Sequence, residues 1–324
     1  MKEQYLDALV VRYRRAAYAT ATKLAYKTQL RTYLKFCLEF SYTPVPVGNL
    51  QLTRYVAHLS TFLSMSSIPC YLSVIRLLHL ESGFQNPLSN NYQLSSVLKG
   101  ARRELAAPPR QMAPITPQIL KSIYQKLDLS QPILAAFWAA ALVAFYSLFR
   151  KSTLLPVSNY HNCKTELCRK DYRKIQTTWV LNVKHTKTLQ YSNKLLQIPL
   201  PEIPGSVLCP IGAMHRLNSL SGEIPSHAPL FSYPVRGGPY SHLNHTSFHK
   251  LLRTFIGAIG LPPGDYSPHS FRRGGASFAF ACGIPSDLIK IQGDWNSDAY
   301  LRYLSSPLSQ RQQMVHVIAQ HLQK

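Results

Sequence analysis

With 324 residues the chain is long for a single comfortable core, and two domains are expected. Hydrophobic residues at 46% supply a core for each, which excludes a disordered chain. Thirty-six Lys and Arg against 14 Asp and Glu leave +22, an excess best tolerated with a polyanion against the surface; nucleic acid is the expected partner, ahead of an anionic membrane or ribosomal packing.

The charge is not a tail. Residues 1–107 hold 13 Lys or Arg and 5 acids, and the remainder holds 23 and 9, so both halves are expected to face the same ligand. Six scattered cysteines lack a disulfide framework, and MKEQYLDALVVRYRR carries acids before a very short apolar stretch, unlike a secretory signal. An intracellular, reducing location is expected.

In chain order, residues 20–40 read as an amphipathic helix, with Tyr26, Leu30, Tyr33, Leu34 and Cys37 on one face. Lys23, Lys27, Arg31 and Lys35 recur every four residues on a neighbouring stripe, which suits a solvated face or a rail for a phosphate backbone equally well. Further helical stretches at about 49–64, 68–82 and 91–106 complete a small bundle. The proline-rich run AAPPRQMAPITP (106–117) reads as an extended linker, after which Thr116-Pro117 looks like a helix start.

Residues 133–149, ILAAFWAAALVAFYSLF, carry no charge. The run is short for a bilayer span and rich in alanine, so a helix buried at the centre of a soluble domain is expected. Thr178–Val183 alternates as a strand, Leu195–Leu200 can return as a second, and Leu154–Tyr160 is a candidate third. Residues 201–240 read as irregular connection, and helical character resumes at about 245–259. Val315, Ile318 and Leu322 stand at helical spacing near the C-terminus, for packing on the chain's own domain or on a neighbouring protomer. His161, Cys163 and Cys168 invite a zinc reading, but no second ligand pair follows at suitable spacing, and no metal is expected.

The segment SPHSFRRGGASFAFACGIPSDLIKIQGDWNSDAYLRYL (267–304) carries the chemistry. A helix starting after Pro268 puts His269 and Arg272 on one face at its N-terminus, where free N–H groups attract an anion. The Gly274-Gly275 pair would admit another backbone closely.

This segment resembles the signature of the tyrosine recombinases (phage-integrase type), in which H-x-x-R precedes a His or Trp and then a nucleophilic Tyr. The three parts here are His269-Ser270-Phe271-Arg272, Trp295 in GDW, and Tyr303 in AYLRYL. The form GDWNSDAYLRYL is especially similar to recombinases of eukaryotic crypton and DIRS-type mobile elements. The resemblance extends upstream to Arg150 at the end of the buried helix and to Lys187 in a hairpin turn, with Lys184 and Lys194 flanking the same turn. It implies a mainly helical fold with a small antiparallel β-sheet. A helical core-binding, DNA-binding domain (1–106) and a linker (107–117) would precede a catalytic domain (118–324).

By the same resemblance, Arg150 and Arg272 clamp the phosphate and Trp295 adds a donor. His269 handles the proton of Tyr303, and Lys187 protonates the leaving 5′ oxygen. Arg273, beside Arg272, joins the α-helical cations as a DNA contact. Double-stranded DNA is the partner, a homotetramer on paired sites the assembly, and the nucleus the location; no cofactor, metal or membrane is implied. Two departures stand out. Thr153 occupies a place that usually holds an acid, and Tyr300 lies three residues before Tyr303 as a rival nucleophile. Thr153 keeps open a DNA-binding protein that has lost turnover, and a type IB topoisomerase would share the chemistry without a partner protomer.

Overall fold

The computed structural model describes residues 3–105, 111–186 and 195–303. The chain divides into two compact units, residues 1–109 and 110–324. Lys187, Lys194 and the stretch 308–324 lie outside the described residues.

The first unit is helical: α1 (Glu3–Ala16), α2 (Thr20–Glu39), α3 (Asn49–Ser60), α4 (Ile68–Glu81) and α5 (Tyr92–Glu104). Leu52, Tyr55, Val56 and Leu59 fall at i, i+3, i+4 and i+7 on α3 and meet Ile68, Leu72 and Ile75 of α4. From α2 the core takes Tyr33, Phe36 and Cys37, whereas Leu34, expected on that face, is exposed. Phe36 packs its ring 4.9 Å from Tyr55, so the larger aromatic turns the buried face by part of a turn. Asn91 caps α5 by accepting from the Leu94 amide at 2.9 Å.

In the second unit, α6 (Pro117–Tyr124) starts on the expected cap, the Thr116 hydroxyl accepting from the Ile119 amide. Helix α7 (Pro132–Ser147) is apolar around its circumference and buried along most of its length, so it forms the centre of the core. No described helix is long and apolar enough to cross a membrane. After the one-turn α8 (Lys151–Leu154), strands β1 (Tyr172–Ile175), β2 (Thr178–Val183) and β3 (Leu196–Leu200) form an antiparallel sheet in that order. Helix α9 (Pro210–Leu220), hairpin β4 (Ser232–Val235) and β5 (Gly238–His242), α10 (His245–Ala258), α11 (His269–Ala281) and α12 (Ser286–Gln292) follow. The 3-10 turn Asp298–Tyr303 closes the described chain.

Three expectations are corrected. The third strand is β1, not Leu154–Tyr160; that region begins with α8, and its start is committed by Leu155 donating back to Lys151. Residues 201–240 are irregular only in part, since α9 and most of the β4–β5 hairpin fall within them: Pro210 occupies the first turn of α9, with the Cys209 sulfur accepting from the Gly212 amide, and Ile211, Met214 and Leu217 are buried. Residues 112–115 are no free linker either. Ala113 donates to Asp265, Ile115 donates to Ser270, and Ile115 is fully buried.

Candidate active site

Glycine sets the frame of the site. A Cβ on Gly274 would lie 1.8 Å from the Ile115 carbonyl oxygen, and one on Gly275 would lie 2.1 Å from that of Phe145. Only glycine permits those approaches, so α11 lies directly against α7 on one side and against residues 112–115 on the other. Helix α7 then stops at Leu148, held in the left-handed region at φ 56°. A leucine there costs about 1–3 kcal/mol, a strain the surrounding packing must sustain. Because of this break, Arg150 is not in the last turn of α7; it stands at the N-cap of α8. Its place therefore owes nothing to the α7 dipole.

The break frees the Leu148 carbonyl, which Arg272 takes with Nη1; the same nitrogen donates to the Gly293 carbonyl at 2.8 Å. Arg272 is 1% exposed, and its Nε and Nη2 are buried with no hydrogen-bond partner among the described residues. The Trp295 ring lies against the guanidinium, 3.5 Å from its carbon to the ring centroid. Gly293 makes room for it, since a Cβ there would overlap the indole at 1.7 Å. Burial, and then the charge of Arg150, push the Arg272 pKa down to about 9, which still leaves it cationic at neutral pH. Arg150 is half-buried; its carbonyl accepts from the Thr153 amide at 2.9 Å, while its side chain makes no hydrogen bond or ion pair with the described residues. Its charge lowers the pKa of both Arg272 and His269, which puts the two guanidiniums in the same electrostatic neighbourhood.

The tyrosines are separated by geometry. Tyr303 Oη lies 2.6 Å from His269 Nε2, and its carbonyl accepts from the Ser277 hydroxyl on α11, also at 2.6 Å. Tyr300 is 5% exposed and packs against Trp295 at 5.9 Å between centroids. His269 keeps solvent contact at the rim, yet partial burial of its ring, and then the charges of Arg272, Arg150 and Arg273, hold its pKa below the usual imidazole value. A neutral ring with its proton on Nδ1 leaves Nε2 able to accept the Tyr303 proton.

Of the lysines around the hairpin, Lys184 is spoken for: its ammonium pairs with the buried Asp171 at 2.7 Å. The segment after β2 is tied to the site by Thr186, three residues past the strand, whose hydroxyl donates to Asp294 at 2.6 Å. Arg273 is half-buried and commits Nη1 to the Met112 carbonyl at 2.6 Å. Lys23, Lys27, Arg31 and Lys35 are all exposed on α2, opposite its buried face.

The sequence reading missed two features. One is Asp294, the carboxylate whose charge acts on Arg272. The other is a cleft of about 500 Å³ beside Arg150, lined by Lys151, His245, His249, Lys250 and Arg253. His245, His249 and Arg253 recur every four residues on α10, the same signal read on α2, and would have revealed it. Burial, and then the charge of Lys151, keep both histidines below their usual pKa. Among the described residues no group of three His, Cys, Asp or Glu is disposed to hold a metal ion; His161 and Cys168 approach each other at 4.0 Å.

No protein-family profile matches the chain, and no curated protein matches it. Among solved structures it is similar to the Tn1549 transposon integrase in complex with transposon right-end DNA. The TM-score is 0.66 at 16% identity, over 98% of this chain and 100% of that one. It is also similar to the XerH site-specific recombinase in a post-cleavage complex with palindromic difH substrate (TM-score 0.61, 13% identity, 91% and 78% covered). A lambda integrase dimer bound to a COC′ core site gives a TM-score of 0.60 at 14% identity, with 94% and 77% covered. At such identities the likeness carries the fold, which is that of the tyrosine recombinases: mainly helical with a small antiparallel sheet.

Proposed function

We propose that the chain is a site-specific DNA recombinase that cleaves and rejoins duplex DNA through a 3′-phosphotyrosine intermediate, with Tyr303 as nucleophile. One observation carries the reading: a buried guanidinium, Arg272, keeps two nitrogens without hydrogen-bond partners beside a Tyr303–His269 pair 2.6 Å apart. Each unmet buried donor costs about 1–3 kcal/mol. A phosphate oxygen would remove that cost and would be gripped in a fork geometry.

The pocket meets the two obstacles to phosphodiester cleavage. Arg150 and Arg272 offset the negative charge that repels a nucleophile, and they do so where burial strengthens the interaction. Tyr303 Oη attacks phosphorus, its proton passes to His269 Nε2, and the bond to the 5′ oxygen breaks. Lys187, carried over by resemblance, returns a proton to that oxygen, leaving a free 5′ hydroxyl. Reversal on another strand conserves the bond energy and needs no external cofactor. The two Arg272 nitrogens are closed to solvent, so an incoming phosphate has to displace a neighbour. Tyr303, half-buried and with its side chain hydrogen-bonded, among the described residues, only to His269, is the natural one to move.

The basic stripe of α2 and the cleft beside α10 would hold the duplex by its backbone. A homotetramer on paired sites, a nuclear location and an origin in a mobile element of the crypton or DIRS type belong to the same proposal; the form GDWNSDAYLRYL supports them. A binding-only role has one observation in its favour, Thr153 in place of an acid.

A nicked suicide duplex carrying the native element ends separates the readings. The expected result is an SDS-resistant protein–DNA adduct, lost in Tyr303→Phe and kept in Tyr300→Phe. An adduct persisting in Tyr303→Phe removes this nucleophile. Specific binding of the duplex by the unaltered protein without any adduct favours the binding-only role.

A further inference from the structure

The pocket that holds Arg150 and Arg272 brings two like charges together, and the carboxylate acting on Arg272 does not come from the element that carries Arg150. It comes from Asp294, in the loop after α12. Both chain neighbours of Asp294 touch Arg272: Gly293 accepts from Nη1 at 2.8 Å, and the Trp295 ring lies 3.5 Å from the guanidinium carbon. Asp294 itself adopts the left-handed conformation at φ 52°, which an Asp tolerates better than most side chains. Its backbone is fixed by Asp294 N donating to Ile291 and by Trp295 N donating to Lys290, each at 3.1 Å. Its Oδ2 accepts from the Thr186 hydroxyl at 2.6 Å, and Thr186 is 3% exposed, three residues past the end of β2. One short loop thus presents Arg272 with a carbonyl, a ring and a carboxylate, and ties the segment after β2 to the same place.

We infer that Asp294 is the positioning carboxylate of this site, holding the paired arginines and the segment after β2 in register for a single phosphodiester. The inference rests on the recombinase reading and deepens it. Charge balance gives the reason. The Asp294 carboxylate offsets part of the like-charge repulsion between the two guanidiniums. Without the carboxylate the two like charges repel unopposed, and the fork of Arg272 is held less firmly in its place. An acid at position 153 would stand three residues beyond Arg150, near the other guanidinium of the pair. With Thr153 there, the task falls to Asp294.

The test uses the full chain, with Asp294→Asn, Asp294→Glu, Thr153→Glu and the double variant Asp294→Asn/Thr153→Glu. Asparagine keeps an acceptor for Thr186 and removes only the charge. In the absence of DNA, Asp294→Asn is expected to melt below the unaltered protein in dilute chloride. The gap should close when sulfate is added or when Thr153→Glu is combined with it. On the suicide duplex, Asp294→Asn is expected to form the adduct roughly 10- to 100-fold more slowly while binding DNA as tightly or more so, with Asp294→Glu and the double variant recovering much of the rate.

The inference is overturned if Asp294→Asn melts and cleaves like the unaltered protein. It is overturned equally if the losses persist unchanged with sulfate and with Thr153→Glu, as an ordinary packing defect would. An unaltered protein that forms no adduct removes the recombinase reading alone, because the melting comparison still judges whether the Asp294 charge holds the arginines.

Discussion

The cations of α2 and the cation at the heart of α11 are the same kinds of side chain put to opposite use. Lys23, Lys27, Arg31 and Lys35 stand exposed in solvent, where a charge costs nothing to keep and salt screens what it attracts. Arg272 is 1% exposed, braced by two backbone carbonyls and an indole, and it keeps two donors unmet. Exposed charge supplies affinity spread over many phosphates, whereas buried charge supplies a fixed field at one phosphate. The net charge of +22 advertises the first and says nothing of the second.

Substitution can break that contrast from either side. The largest effect is expected from Arg272→Lys, which keeps the charge and removes the fork. Adduct formation should fall by about 10²- to 10³-fold, with a much smaller change in duplex affinity, as read by single-turnover cleavage against a binding isotherm. Next, Gly275→Ala forces α11 away from the Phe145 carbonyl and should cost about 1–3 kcal/mol, seen as a Tm lower by several degrees with cleavage impaired in proportion.

A pH series sharpens the role of His269. Its pKa lies below the usual imidazole value, so the neutral, proton-accepting form persists into more acidic solution. The adduct rate should therefore hold through about pH 6.5 and decline only below it. A decline beginning above that value would contradict the site's electrostatics. The smallest effect is expected from Lys27→Ala or Arg31→Ala. Each should weaken duplex binding a few-fold without regard to sequence, lower the salt slope by about 1, and leave the cleavage rate at saturating DNA unchanged.

Much of this contrast was legible in the sequence where the signal is local. The uncharged run at 133–149 reads as a central buried helix, Thr178–Val183 reads as the strand it forms, and the resemblance picks out His269, Arg272, Trp295 and Tyr303, side chains that the fold brings together. What escaped was either masked by an unusual local choice or made by distant contact. Helix α9 begins on a thiol cap followed by proline, which reads as a break. The left-handed Leu148 moves Arg150 from a helix end to a new N-cap, and nothing about a leucine signals that turn. Residues 112–115 look like linker until Arg273, Asp265 and Ser270 are seen to hold them. The Thr186–Asp294 bond joins residues 108 apart, so no window of sequence contains it.

The central claim is that Tyr303 attacks a phosphate gripped by Arg272, and mapping the linked residue tests it most directly. The unaltered protein, trapped on the suicide duplex and digested with protease and nuclease, should yield a nucleotide-bearing peptide whose fragmentation places the phosphoryl group on Tyr303. A phosphoryl group on Tyr300, on any other residue, or on none would contradict the account.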